Sequence, residues 1–149
     1  MNVTLTGHQL LAMTQEQLDQ LYSASSAGPI PNGRARGTAI IAPGTPLSGG
    51  IAELTRVFSW QGKVFDRAHG TLVNRITPFG IEAVAAQVYK GASRLDDKEC
   101  IVIDYSRTSL IAKPVRDEIR EIAPNLYLGI VFLLDTRMPL GFSLDFAGA

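Results

Sequence analysis

Cysteine and histidine are scarce in this sequence, and their scarcity excludes two kinds of site. The 149 residues contain one cysteine, Cys100, and two histidines, His8 and His69. One cysteine cannot form an internal disulfide and indicates a reducing compartment, so we expect a cytoplasmic protein. The histidines do not form the close pair, about three to five residues apart, that is typical of zinc sites. We therefore expect no metal and no cofactor.

Net charge and long apolar runs are also absent. The 14 basic and 14 acidic residues balance, which leaves no basic excess for a nucleic-acid backbone, so nucleic acid is not an expected partner. No apolar run reaches the ~20 residues that cross a bilayer, and no signal peptide is evident at the first residues. The motifs of nucleotide-binding and hydrolytic sites are missing as well. The length fits a single domain over 1–149.

Short segments with strand-like apolar patterns are abundant instead. Residues 100–107 alternate with period two and predict a half-buried strand. Residues 126–134 are apolar on both faces, which predicts a strand covered on both sides. Gly129 in that run predicts a bulge or the close approach of another backbone or a ligand. Further strands are predicted at 37–42, 81–91, 140–146 and, more briefly, 110–112, with a hairpin over 60–77.

Residues 115–122 have two open interpretations. Their apolar residues recur at helical spacing, yet the alternating charges of 116–121 also suit a strand with cross-strand ion pairs. We favour the strand because its neighbours are strands. The charges are interpreted as a solvated face that pairs with itself. In the alternative, Arg116 or Arg120 turns inward and grips a ligand carboxylate.

Helices are expected near the N-terminus. Thr14 and Gln17 form a capping box, which predicts an amphipathic helix over 15–24. A helix this short is marginal alone, so its apolar face must dock, and the strand at 126–134 is the expected partner. A second helix is predicted over 48–59.

The whole pattern predicts a mainly β protein with a minor helical part. Seven or eight strands joined by short polar turns give an antiparallel up-and-down meander, which closes into a β-barrel of the lipocalin or calycin type. The interior of such a barrel is filled by side chains or holds one small ligand. A cone-shaped, curved sheet wrapped round a helix is the alternative fold.

Three short motifs follow one another in the order Trp60-x-Gly62-Lys63-x-Phe65, Ile103-Asp104-Tyr105 and Tyr127-Leu128-Gly129. Over roughly residues 54–131 the chain resembles the small bacterial and plant proteins named for a G-x-W-x-G motif and a following domain of unknown function. Phe58 stands where the first glycine of that motif would be. The resemblance implies a small lipocalin-like barrel that could carry lipophilic ligands, and it transfers no catalytic residue.

Two groups of residues are candidates for a site. Trp60 with Lys63 and Arg75 forms either a cation-covered plug at a barrel end or the floor of a ligand cavity. Asp104 and Tyr105 could serve as general base and oxyanion donor if both entered an apolar cavity. Otherwise Asp104 points outward and pairs with an arginine, which is the geometry we favour. The expected ligand-binding residues are Trp60, Arg75, Tyr89, Tyr105, Arg116 and Tyr127.

The predicted function is the binding of a small lipophilic or aromatic molecule in the barrel cavity. The alternative is a cofactor-independent isomerase or cyclase that acts on a hydrophobic molecule in the same cavity, with Asp104 and Tyr105 as catalytic residues. A third hypothesis is an interaction module whose strand at 126–134 mediates self-association as a homodimer. The sequence leaves open which of these holds, and with it whether the protein is an enzyme.

Overall fold

The structure is a computed structural model that describes residues 6–41, 60–76, 81–109 and 112–147. In these ranges nine antiparallel strands form one sheet that curves into a nearly closed barrel. The prediction of a mainly β protein with an antiparallel barrel is confirmed, with nine described strands in place of seven or eight. The elements are α1 (Gly7–Leu10), α2 (Gln15–Ala24), β1 (Gly33–Arg34), β2 (Arg36–Ile41), β3 (Trp60–Asp66), β4 (Thr71–Ile76), β5 (Ile81–Ala92), β6 (Glu99–Asp104), β7 (Val115–Ala123), β8 (Leu126–Leu133) and β9 (Thr136–Asp145).

Strands β3 to β9 form a meander in which each strand pairs with the next one along the chain. Sequential strands usually lie side by side in a sheet, which accounts for this order. The hairpin predicted at 60–77 is observed as β3 and β4, and the strand interpretation of 115–122 is confirmed as β7. The helix predicted at 48–59, and residues 110 and 111 of the strand predicted at 110–112, lie outside the described residues.

One short segment joins the two edges of the sheet. β1 pairs with β3 at one edge and β2 pairs with β9 at the other, although only Ala35 separates β1 from β2. The Ala35 amide donates a hydrogen bond to the Lys63 carbonyl at 2.9 Å. Gly62 on β3 lies against Ala35 and has a φ of +136°. A side chain at Gly62 would collide with the Ala35 carbonyl. Glycine is therefore required at this crossing.

Helix α2 packs on the outer surface of the barrel. Its N-terminus has the predicted capping box, in which the Thr14 hydroxyl accepts from the Gln17 amide at 3.1 Å and the Gln17 side chain accepts from the Thr14 amide at 2.9 Å. The apolar face of α2 is buried against β8, which confirms the predicted dock. No helix in the described ranges is long and apolar enough to cross a membrane. This outer core consists of Leu10, Leu18, Tyr22, Ile40, Cys100, Val102, Leu128, Ile130 and Phe132.

A second core lies in the barrel interior. Phe142 on β9 covers Gly129 on β8, because a side chain at Gly129 would collide with the Phe142 ring. The Phe142 side chain thus makes a close approach at Gly129, and the Gly129 carbonyl in turn lies close to Gly141 on β9. The buried members of this inner core are Ala27, Ala35, Phe65, Leu72, Ala86, Val88, Ile101, Ile103, Tyr105, Ile119, Tyr127, Phe142 and Leu144.

Candidate functional site

Four polar side chains lie inside the barrel among the residues of the inner core. They are Lys63 on β3, Asn74 on β4, Tyr105 directly after β6 and Asp117 on β7, and all four are buried. We call them the inner cluster. Each lies two positions from a large apolar residue of the inner core, so the period-two geometry of a strand turns it inward. The pairs are Lys63 with Phe65, Asn74 with Leu72, Tyr105 with Ile103, and Asp117 with Ile119.

The Lys63 ammonium is the centre of the inner cluster. It donates to the Asn74 amide oxygen at 2.7 Å and to the Tyr105 hydroxyl at 2.8 Å. The Asp117 carboxylate lies 3.5 Å from the same nitrogen and 3.5 Å from the Tyr105 hydroxyl. The Asn74 amide nitrogen donates to the Tyr105 hydroxyl at 3.0 Å and to the Val84 carbonyl at 2.8 Å. The cluster therefore brings a cation, a carboxyl group, a phenol and an amide within one hydrogen-bonded group.

Burial and mutual charge shift the pKa values of the inner cluster. Burial alone would lower the pKa of Lys63, but the neighbouring Tyr105 and Asp117 raise it, so the ammonium stays charged. Burial raises the pKa of both Tyr105 and Asp117, against the opposing effect of the Lys63 charge. Asp117 is thus a stronger base than an exposed carboxylate, while Tyr105 remains a neutral hydrogen-bond donor.

Aromatic rings flank the ammonium group. The Lys63 nitrogen lies 5.2 Å from the centre of the Phe142 ring and 5.5 Å from the centre of the Tyr105 ring. Both distances are within the range of cation–π attraction. The cation is therefore held by aromatic faces as well as by hydrogen bonds.

The end of the barrel interior away from the inner cluster is aromatic and apolar. The Phe65 and Phe146 rings lie 5.7 Å apart, and the Tyr127 and Phe146 rings lie 5.5 Å apart. The Tyr127 hydroxyl donates to the Pro29 carbonyl at 2.7 Å, and burial raises the pKa of Tyr127 to about 12. The interior is thus polar towards the end where β6 stops and β7 begins, and apolar towards the opposite end.

Three of the predicted site residues, Tyr89, Asp104 and Arg116, lie together on the outside of the barrel. The Tyr89 hydroxyl donates to the Asp104 carboxylate at 2.8 Å. The Ser106 amide donates to the other carboxylate oxygen at 2.9 Å. Burial opposes the charge of Asp104, but these hydrogen bonds and the Arg116 charge lower its pKa overall. The three side chains line an open cavity of about 270 Å³, the outer groove, whose walls are Tyr89, Arg94, Asp104, Ser106, Lys113, Pro114, Val115, Arg116, Leu134 and Asp135.

Asp104 and Tyr105 point to opposite sides of the barrel wall. Tyr105 belongs to the inner core, whereas Asp104 lines the outer groove. The catalytic pair considered from the sequence therefore does not meet in one cavity, because successive side chains of an extended chain alternate between faces. Asp104 takes the outward position that the sequence favours. Its hydrogen-bond partners are the Tyr89 hydroxyl and the Ser106 amide, whereas the arginine opposite it, Arg116, forms its ion pair with Glu118.

The charged run at 116–121 is not a solvated face, so that part of the interpretation is wrong, whereas Arg116 and Glu118 of the run do pair with each other. Glu118 and Arg120 are both fully buried. Glu118 accepts hydrogen bonds from the Tyr22 hydroxyl at 3.1 Å and the Ser93 hydroxyl at 2.5 Å, and Arg120 holds both oxygens of Asp96 at 2.7 Å. The physical reason is that α2 covers this part of β7. We call these five residues the outer cluster.

The remaining predicted ligand-binding residues are dispersed. Arg116 pairs with Glu118 at 3.1 Å, and neither Arg116 nor Arg120 turns inward as the ligand-gripping alternative requires. Arg75 follows Asn74 on β4 and therefore lies on the face opposite the inner cluster. Trp60 begins β3, and its side chain lies outside the described part of the molecule. Of the five predicted binding residues whose side chains the structure describes, Tyr105 and Tyr127 face the interior.

Sequence reasoning missed Asn74 and Asp117, and it named Lys63 only as a cover for Trp60. Asn74 was placed on the same strand face as Leu72 and Ile76 but was not considered as a site residue, and Asp117 was counted in the charged run at 116–121. The signal that could have found them is the strand face. Lys63, Asn74 and Asp117 each lie two positions along the strand from a large apolar residue, which marks their face as the inner one.

Metal and thiol chemistry have no site in the described ranges. No group of three or more histidine, cysteine, aspartate or glutamate residues among the described ones could hold a metal ion. Cys100 is buried in the outer core, and burial raises the pKa of its thiol to about 11. A thiol of this kind forms little thiolate and is unreactive.

Comparison with known proteins gives a fold and no function. No protein-family model matches the chain, and no curated protein matches it. Among solved structures the chain is similar to a protein from Thermomonospora curvata known from its crystal structure, with a TM-score of 0.61 and 18% sequence identity. The match covers 89% of this chain and 87% of that chain. At this level of identity the likeness shows a common fold alone.

Proposed function

We propose that the protein binds a small lipophilic or aromatic molecule inside the barrel, with the inner cluster as its polar anchor. The observation that carries this proposal is the buried group of Lys63, Asn74, Tyr105 and Asp117 within an apolar interior. Barrels of about eight strands are wide enough to hold one small ligand. Small-molecule sites combine mainly apolar walls with a few convergent polar groups, which is the composition of this interior.

Stability alone gives a poor account of the inner cluster. Replacing a buried ion pair by apolar residues of similar volume is often neutral or stabilising, so the fold does not need one. The Lys63–Asp117 contact is also long, at 3.5 Å, compared with about 2.7–2.9 Å for a strong charge-assisted hydrogen bond. Ionisable groups with shifted pKa values in an apolar setting are typical of functional sites. These features favour a binding role for the cluster.

The ligand chemistry follows from the donors that the cluster offers. The Lys63 ammonium and the Tyr105 hydroxyl already bond within the inner cluster, so a ligand oxygen would compete with Asp117 for the long 3.5 Å contacts. A carbonyl, carboxylate or phenolate oxygen suits both donors. The aromatic end formed by Phe65, Tyr127 and Phe146 suits an apolar or flat body. We therefore expect a ligand with one oxygen acceptor at the end of a hydrophobic skeleton.

Native mass spectrometry of the protein purified from cells tests this proposal directly. We expect a retained molecule, and calorimetric titration with fatty acids and flat aromatic ketones to give binding. Lys63→Met should weaken that binding at least about tenfold, because a charge-assisted hydrogen bond is lost. Lys90→Met changes a half-exposed lysine on β5 and should leave binding unchanged. The proposal fails if no molecule is retained and no probe binds, or if both variants bind alike.

Proton transfer in the same interior is the second candidate function. The raised pKa of Asp117 favours it, since this carboxylate lies beside two donors that could stabilise an enolate oxygen. In this reaction Asp117 takes a proton from the carbon next to the ligand carbonyl and returns one to it. Deuterium uptake by a bound aromatic ketone in heavy water would reveal the exchange. Asp117→Asn should then retain binding and lose exchange, whereas exchange that persists in this variant would exclude Asp117 as the base.

A further inference from the structure

We propose that the outer groove is a second binding site, specific for a small carboxylic acid with an apolar tail. The groove is open, has a volume of about 270 Å³ and lies on the side of the wall away from the inner cluster. This volume is slightly below the ~300–1,000 Å³ typical of sites for drug-sized ligands. The groove therefore suits a molecule of the size of benzoate or hexanoate. This inference does not depend on the interior site.

The charges of the groove favour an anion. Three cationic side chains, Arg94, Lys113 and Arg116, line it against two carboxylates, Asp104 and Asp135. Asp135 is engaged by Arg94 in an ion pair. Asp104 has both oxygens occupied by other donors. Arg116 is likewise paired with Glu118, so the cationic charge that an entering carboxylate meets comes chiefly from Lys113.

Lys113 and Arg116 supply the donors for that carboxylate. Arg116 is already fixed in place, because it donates to Glu118 at 3.1 Å and to the Ala92 carbonyl at 2.8 Å. A guanidinium has five N–H donors, so these bonds leave others for a ligand. Lys113 is exposed at the groove wall. Its ammonium group can reach an anion without breaking a contact in the described part of the chain.

Leu134 supplies the apolar contact, and its conformation is otherwise unexplained. It begins the two-residue turn between β8 and β9, where Leu134 and Asp135 have φ values of 48° and 68°. Such turns strongly prefer asparagine or glycine, and a leucine there is strained. The side chain is also 75% exposed, so its presence does not bury apolar surface. Strain of this kind concentrates at ligand sites, and here it places an apolar group on the groove wall.

The turn is held in position over the groove. The Leu134 amide donates to the Pro114 carbonyl at 3.1 Å, and Asp135 is held by Arg94. The groove is thereby framed by the β8–β9 turn on one side and by the start of β7 on the other. A ligand with its carboxylate at Lys113 and Arg116 can lay its tail against Leu134 and Tyr89.

The test is calorimetric titration of the full chain with benzoate and hexanoate, joined to amide chemical-shift mapping. We expect saturable binding that shifts the amides of Lys113, Arg116 and Leu134. Leu134→Asn should weaken binding about tenfold through the lost apolar contact. Because asparagine tolerates positive φ, the same variant should keep or raise the midpoint of thermal unfolding. Lost binding in this variant is thus separated from lost folding.

Further variants and a neutral probe test whether the groove requires the charge of the ligand and of Lys113. Lys113→Gln should weaken benzoate binding about five- to tenfold, because one charge-assisted contact is removed. Benzamide, which lacks the charge, should bind much more weakly than benzoate. Two matched controls, Leu11→Asn and Lys98→Gln, change exposed residues outside the groove and should bind like the wild type. Lys63→Met should also bind like the wild type, since the inner cluster lies on the other side of the wall.

Three outcomes would overturn the proposal. One is that saturating benzoate leaves the groove amides unshifted. Another is that Leu134→Asn and Lys113→Gln bind benzoate as the wild type does. The third is that inorganic phosphate binds as tightly as benzoate and Leu134→Asn has no effect, because the groove would then be a simple anion site without an apolar contact.

Discussion

Strand β7 carries buried charges on both faces, and the two faces use them in different ways. On the outer face Glu118 receives four hydrogen bonds, including one from the Arg94 amide at 2.9 Å and one from Arg116 at 3.1 Å. Arg120 donates to both oxygens of Asp96 and to three backbone carbonyls. On the inner face Asp117 lies 3.5 Å from each of its two partners. The outer charges are saturated, whereas the inner carboxylate is loosely held.

This difference indicates two roles for buried charge. The outer cluster connects α2 to the barrel, since Tyr22 bonds to Glu118 through its hydroxyl and to Arg120 through its carbonyl. A network of this kind, once complete, fixes one packing of the helix and is costly to break. The inner cluster connects the β3–β4 pair to the β6–β7 pair across the barrel interior. Apolar side chains of similar volume could fill the same space, so we expect its charges to add little to the stability of the fold. The number and length of the hydrogen bonds therefore distinguish the outer cluster, which is structural, from the inner cluster, which is a candidate site.

The largest effect is expected from breaking the outer cluster. Asp96→Asn leaves the fully buried Arg120 without its counter-charge, and this should lower the free energy of unfolding by about 3–5 kcal/mol. Urea denaturation measures the change. The matched control is Asp97→Asn, because Asp97 is exposed and has a φ of 61°, which asparagine tolerates. If Asp96→Asn is as stable as this control, the outer cluster does not hold the fold.

The pH dependence of stability should also report the Asp96–Arg120 ion pair. The hydrogen bonds from Arg120 hold the pKa of Asp96 below its ordinary value of 3.8. A depressed pKa in the folded state contributes stability that is present above the unfolded value and lost as pH falls through the folded one. The stability difference between wild type and Asp96→Asn should therefore be full at neutral pH and shrink below about pH 4. A difference that stays constant down to pH 2 would contradict the ion-pair explanation.

Overpacking at Gly129 should have an intermediate effect. Gly129→Ala places a methyl group against the Phe142 ring and should cost about 1–3 kcal/mol of stability. Because that ring also faces Lys63, the substitution should weaken ligand binding as well. The double variant Gly129→Ala/Phe142→Leu offers the methyl group more room and should recover part of the stability. Equal losses in the single and double variants would show that the ring is not the cause.

Removing the inner cluster should have little effect on stability. We expect the double variant Lys63→Met/Asp117→Leu to unfold within about 1 kcal/mol of the wild type, since apolar groups replace a buried ion pair. It should nevertheless fail to bind the probes that the wild type binds. Urea denaturation and calorimetric titration measure the two properties separately. A loss of about 3 kcal/mol or more would make the inner cluster as structural as the outer one.

The smallest effect is expected at Asp104. Asp104→Asn keeps an oxygen that accepts from the Ser106 amide, and its amide nitrogen can donate to the Tyr89 hydroxyl oxygen in place of the second carboxylate oxygen. Stability should therefore change by no more than ~0.5 kcal/mol. Any exchange activity of the interior should also survive, because the side chain lies on the outer face. Thermal unfolding and the deuterium-exchange assay check both expectations. A variant that loses exchange would return Asp104 to the catalytic role considered from the sequence.

The fold could be predicted because its determinants are local. The alternation of apolar and polar residues identified most strands. The capping box at Thr14 and Gln17 located α2, and the strand at 126–134, apolar on both faces, indicated where α2 docks. The division of Gly33–Ile41 into two strands could not be predicted, because it depends on which edges the segment meets. The burial of Glu118 and Arg120 was missed for a similar reason. It depends on contacts with Tyr22 and Asp96, which lie far away in the sequence.

The candidate site was harder to predict than the fold. Tyr105 and Tyr127 were among the predicted binding residues and do face the interior, but Asp117 looked like one more charge in a polar run. Its inward direction requires the register of β7, which was left open between strand and helix. Lys63 and Asn74 come together only because β3 and β4 pair in one particular register. Such pairings are properties of the folded sheet and leave little trace in a single sequence.

The joining of both sheet edges by Gly33–Ile41 has a consequence for folding. Strand β2 pairs with β9, about 100 residues later in the chain, with Arg36 opposite Asp145. Contacts of such long sequence separation form slowly, because the loop between them must close first. During synthesis both edges of the growing sheet therefore remain open, and exposed edges are prone to pair with other chains. We expect the β2–β9 contacts to form after the transition state, so that substitutions in β2 chiefly accelerate unfolding and leave the folding rate almost unchanged in stopped-flow measurements.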